Sequence, residues 1–107
     1  MGLKPRTQEK APTFKHYQDW CRAVSTSDLT IERRIEALRQ LSDAFMTSRP
    51  EVPYVPVLTT YAEAMEKVDP QTALDIYEGL YDSTQHPQHL RKIGELETLI
   101  SPDSNQH

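Results

Sequence analysis

The stretch "YDSTQHPQH" sets His86 and His89 three residues apart, with Asp82 and Glu78 one and two helical turns upstream. Imidazoles and carboxylates are ligands for a divalent metal, which needs three or four of them converging on one point. Pro87 stands between the acids and His89 and breaks the helix that would have to align them. On the helix that follows, His89 falls in the apolar arc, so a packed or capping histidine accounts for the spacing. A small metal-binding or catalytic helical domain using His86, His89 and Asp82 is one alternative, and a purely structural dimeric subunit is another. Cys21 and His16 suggest a thiolate–imidazole pair, but residues five apart on a helix lie about 140° apart. Cys21 shares a stripe with Phe14 and Tyr17, where cysteine behaves as a small hydrophobe.

The remaining candidates are weaker. The acids between Glu63 and Asp82 fall on polar helix faces, where solvated carboxylates keep ordinary acidity. Gly2, Gly79 and Gly94 are isolated, so no phosphate-cradling loop is present. Arg33, Arg34 and Arg39 are interleaved with Glu32 and Glu36, which argues against a nucleic-acid groove. No residue set defines a reaction, and the expectation is a protein without enzymatic activity, cofactor or resident metal.

Charge supports that direction. The chain has 107 residues, with 12 Lys+Arg against 16 Asp+Glu, so a polyanion meets net repulsion. Residues 1–24 carry a balance of +3, whereas residues 51–82 carry seven acids against Lys67 alone. A partner with a basic surface is steered to that middle stretch. The single cysteine, Cys21, cannot form an internal disulfide, which fits a reducing compartment. The N-terminus has no apolar signal core, and no apolar run approaches membrane-spanning length. These features predict a cytoplasmic protein.

What must position these residues is a set of helices. Residues 1–12 are polar with Pro5 and Pro12 and read as a flexible arm; residues 101–107 read as a disordered tail; residues 13–100 form one domain. Apolar residues at about 100° per step predict a first helix near 14–24, capped by Thr13, with Phe14, Tyr17, Trp20, Cys21 and Val24 on one face. A second, longest helix is expected near 28–47, opened by Ser27-Asp28, with a stripe of Ile31, Ile35, Leu38, Leu41 and Phe45. Helices near 56–68 and 70–82 follow, the latter started by Asp69-Pro70, and a last one begins at Pro87. No run alternates with period two. The fold class is all-α, a compact bundle of about five helices with one long central helix.

Pro50, Pro53 and Pro56 recur every third residue, the period of a polyproline II ligand. Val52, Tyr54 and Val55 between them look built to pack, so the ladder is expected to be a stiff bend between helices. One residue breaks its local rule: Arg34 falls inside the apolar arc of the second helix. Its stem can cover apolar surface while the guanidinium reaches water, or this part of the stripe faces a second chain. Five amphipathic helices must share one small core, and the longest projects beyond its neighbours. Trp20, Ile31, Arg34, Ile35 and Leu38 are therefore the candidate partner-binding residues.

Two resemblances bear on this. "DPQTALDIYEGLYDSTQHP" resembles the second helix of a tetratricopeptide repeat, with Ala73 and Tyr77 at the small and aromatic positions, although the preceding helix lacks the companion pattern. A small, acidic, wholly helical chain carrying "TIERRIEALRQLSDAF" is also similar to small bacterial antiactivators of LuxR-type quorum-sensing transcription factors. That resemblance implies a regulatory protein that sequesters a transcriptional regulator by helix-mediated contact, and the surplus of apolar helix surface predicts a homodimer. No direct contact with nucleic acid or membrane is expected.

Overall fold

A computed structural model describes residues 12–101. The expected arm and tail fall almost wholly outside that range. Five helices follow one another: α1 (Phe14–Ser25), α2 (Ile31–Ser48), α3 (Tyr54–Glu66), α4 (Pro70–Thr84) and α5 (Pro87–Ile100). Among the described residues there is no strand, and no helix is long and apolar enough to cross a membrane.

Local chemistry explains each boundary. Thr13 caps α1 through a reciprocal box: its Oγ1 accepts from the His16 amide at 3.1 Å and its own amide donates to His16 Nδ1 at 3.3 Å. Two orphan donors are satisfied together. At the other end, the hydroxyls of Ser25 and Thr26 donate to the Arg22 carbonyl and that of Ser27 to the Val24 carbonyl. Those residues are thus spent on closing α1. The cap of α2 is Thr30, whose Oγ1 accepts from the Arg33 amide at 3.2 Å, instead of the expected Ser27-Asp28.

The prolines form the expected bend. Pro50 and Glu51 sit in a turn closed by Val52 N–H to Arg49 O at 3.0 Å, and Pro53 is the extended N-cap of α3. α3 starts two residues earlier than the pattern suggests, with Pro56 inside its first turn, where a missing N–H leaves no bond unmade. At the junction of α4 and α5, Gln85 adopts a left-handed conformation with φ 59°. Its amide donates to the Tyr81 carbonyl at 2.8 Å and its side chain to the same oxygen at 3.0 Å. Pro87 then starts α5 at its first turn.

The longest helix is not the central one. α2 has 18 residues but packs only on α1 and α3, whereas α3 packs on α1, α2 and α4, and the α5 backbone packs on α4 alone. The helices stack as successive hairpins, α1–α2, then α3–α4, then the unpaired α5. Tyr17 and Phe45 stack at the first joint, with ring centroids 4.7 Å apart. Val57, Ala62, Met65, Ala73, Tyr77, Leu80 and Leu96 continue the core along the stack. Ala73 and Tyr77, the two positions carrying the repeat-like pattern, are both fully enclosed.

One polar atom in this core is stranded. Ser42 Oγ is sealed off with no hydrogen-bond partner among the described residues, while the neighbouring Tyr17 hydroxyl donates to the Val57 carbonyl at 3.1 Å. An unsatisfied buried hydroxyl costs about 1–3 kcal/mol of desolvation. Ser42→Ala is therefore expected to stabilise the protein by about 1 kcal/mol, measured by urea unfolding with an unchanged m-value.

Candidate functional site

The residues proposed from sequence have separate tasks in the structure. Leu38 is fully buried and offers a partner no surface; it is a core residue, drawn inward because α1 and α3 close over that side of α2. Ile35 is half-buried and packs against the core cluster. Arg34 turns back onto its own backbone. Its Nε donates to the Leu29 carbonyl at 2.9 Å and its Nη1 to the Ser25 carbonyl at 3.1 Å, so the guanidinium clamps the turn between α1 and α2. Ser25 is the last residue of α1, and its carbonyl belongs to the set a helix leaves unbonded. Trp20 and Ile31 remain exposed, at 45% and 50%, and the Trp20 indole stacks on His16 with centroids 5.8 Å apart.

The proposed chemistry does not assemble either. Among the described residues, no group of three or more His, Cys, Asp or Glu is placed to hold a metal. Asp82 is exposed on α4, and the left-handed Gln85 redirects the chain before His86. Cys21 is buried, and burial pushes its thiol up to about 11, so it stays protonated at neutral pH. His16 is committed to the α1 cap.

What the stack does build is a groove across α1, α3 and α5. Its central cavity, of about 350 Å³, is lined by Phe14 and Gln18 of α1, by Thr59, Thr60 and Glu63 of α3, and by His86, Gln88 and His89 at the start of α5. A cleft of about 110 Å³ extends it between α1 and α3, past Cys21, Arg22 and Lys67. Another of about 250 Å³ extends it along α5, past Tyr77, Arg91 and Lys92. Neither α2 nor α4 lines the central cavity; both helices back the wall. The central volume is within the range of ligand pockets, roughly 300–1,000 Å³.

Two polar clusters hold the α5 wall. Glu66 on α3 accepts the Tyr77 hydroxyl of α4 at 2.7 Å and the Lys92 ammonium of α5 at 3.1 Å, which ties three helices through one carboxylate. Burial, with the adjacent Glu66, raises the Tyr77 phenol above its ordinary range, so it remains a donor. At the α4–α5 corner, the Thr84 hydroxyl donates to the Leu80 carbonyl at 2.9 Å and accepts from the His86 amide at 3.1 Å. The same hydroxyl oxygen lies 3.0 Å from His89 Nδ1.

The sequence signal that could have located this groove was the hairpin order itself: odd-numbered helices of a stacked array share one face. Thr59, Thr60 and Glu63 gave no individual signal. Comparison of the chain with protein-family models, with curated proteins and with solved structures yields no match in any of the three.

Two expectations test this geometry. Arg34→Ala removes both carbonyl contacts at the α1–α2 turn and is expected to cost about 1–2 kcal/mol of stability, read by thermal unfolding. Burial, then the adjacent His86, lowers the His89 pKa below its ordinary 6.5. The unfolded chain then binds the proton more readily, so this contribution is full above about pH 6.5 and is lost as pH falls below it. His89→Asn keeps a polar group opposite Thr84 but does not titrate. The stability difference between wild type and this variant is expected to shift against wild type as pH falls from about 7.5 to 5.

Proposed function

We propose that the chain is a non-enzymatic binding protein that seats a segment of a larger protein in the groove of α1, α3 and α5, and so inhibits or sequesters it. The observation that carries this reading is the character of the groove lining. The side chains of Gln18, Thr60 and Gln88 make no hydrogen bond within the described residues, and their amides and hydroxyl are free to meet the backbone of an extended segment. Phe14 and Val55 supply apolar contact beside them. No nucleophile–base pair stands in the cavity, and a flat run of donors and acceptors suits recognition better than bond making.

The regulatory role follows the antiactivator-like size, charge and helical make-up, with a transcriptional regulator as the kind of partner implied. It would act in a reducing, cytoplasmic setting, consistent with one unpaired cysteine. The homodimer belongs to the same proposal: exposed Ile31, Leu90 and Leu99 offer apolar surface for a second copy. Trp20, exposed midway along the groove helix α1, is a rim contact for the partner.

Filling the groove is the direct test. Thr60→Trp should abolish capture of the partner protein from native lysate while leaving the helical content unchanged by circular dichroism. Glu78→Ala, a change at an exposed α4 position, should retain it. A partner held equally by wild type and Thr60→Trp would show that binding does not use the groove.

A further inference from the structure

Resting on the homodimer of the reading above and not on its groove, we infer that two copies of the chain pair through the outward face of α2, antiparallel about a two-fold axis near residue 38. The inward side of α2 is already occupied. Leu38, Ser42 and Phe45 are buried there, and the helix packs on α1 and α3 alone. On the outward side, Leu29, Arg33, Glu36, Ala37 and Gln40 line an open depression of about 370 Å³. Among the described residues nothing closes it: Leu29 is 42% exposed, and Ala44, two turns beyond Ala37, is exposed as well.

The polar residues of this face point to a second copy as the occupant. In chain order Arg33, Glu36, Gln40 and Asp43, all exposed, run donor, acceptor, donor, acceptor. A row of that kind is its own complement when reversed. Residues 33 and 43 share the midpoint 38 with residues 36 and 40, so one two-fold axis serves both pairs. Arg33 meets Asp43 of the second copy, Gln40 meets Glu36 of the second copy, and the axis repeats each contact, as a self-complementary interface requires. A parallel pairing in register would set like against like. The charges inside one copy leave the same contact open. Glu36 and Asp43 share the single guanidinium of Arg39, with Asp43 held only at 3.5 Å. Arg33 makes no ion pair and no side-chain hydrogen bond among the described residues, so antiparallel pairing gives each Asp43 a second cation. The Gln40 amide donates one hydrogen to its own Glu36 at 2.9 Å and keeps another for the second copy. Ala37 and Ala44 are short enough for the two helix axes to approach within about 8–10 Å. Leu29 then lies against the last turns of the opposite α2.

The test is the oligomeric state of the full chain by sedimentation equilibrium. One helix pair is an interface at the low end of the stable range. Wild type is therefore expected to pass from dimer to monomer on dilution from about 100 µM to about 1 µM. Arg33→Glu and Asp43→Arg each set like charges together at both ends of the interface and should weaken the dimer by about tenfold or more. Both positions are exposed, and circular dichroism should show helical content unchanged. Mixed in equal amounts, the two variants form a heterodimer whose contacts are again opposite in sign, and affinity should return close to that of wild type. A dimer indifferent to both reversals, or a mixture no tighter than its components, would overturn the α2 interface while the homodimer stands on another surface. Wild type that stays monomeric throughout overturns the interface and the homodimer together. The groove is read separately, by capture of the partner protein with Thr60→Trp, and neither result on the dimer alters it.

Discussion

The structure depends on α4 being gripped from both sides. α5 has no backbone packing except on α4, and α1 and α2 reach α4 only through α3. Ala73, Leu74, Tyr77 and Leu80 form the enclosed face that makes this possible. Ala73 lets the backbones approach while Tyr77 crosses the joint and ends on Glu66. Because Lys92 binds the same carboxylate, the separation of α3 from α5 is fixed by one shared acid. That separation is the width of the groove. Were α3 and α5 to pack directly, as in a closed bundle, the cavity would vanish.

The first hairpin is held by a different device. Three successive hydroxyl residues, Ser25, Thr26 and Ser27, return their protons to carbonyls of the last turn of α1. Arg34 then reaches back across the turn to two further carbonyls. A long cation in an apolar stripe here satisfies backbone acceptors that a tight connection would otherwise leave unbonded. At the next corner Arg49 does comparable work, donating to the Pro12 carbonyl at 3.0 Å while pairing with Glu51. Both ends of α2 are thus pinned by arginine.

Two charge networks on the surface are organised within single helices. Lys15–Asp19–Arg22 and Glu36–Arg39–Asp43 are exposed networks at spacings of three and four residues. The paired arginine and lysine hold Glu36 and Asp19 below the usual carboxylate range. Pairs of this kind contribute little to stability.

The sequence by itself determined the helices. Apolar spacing, Thr13, Asp69-Pro70 and Pro87 mark where they begin, since a cap and a missing N–H act within a single turn of chain. It also determined that Pro50, Pro53 and Pro56 make a corner and that Cys21 belongs to the core. The partner of Arg34, the burial of Leu38 and the open face of α1, α3 and α5 were decided by tertiary structure alone. A helical pattern fixes which residues share a face, but whether that face meets a neighbour depends on how wide the neighbours stand. Here that distance is set by contacts between residues far apart in the chain, Glu66 with Lys92 above all, and no local rule encodes it.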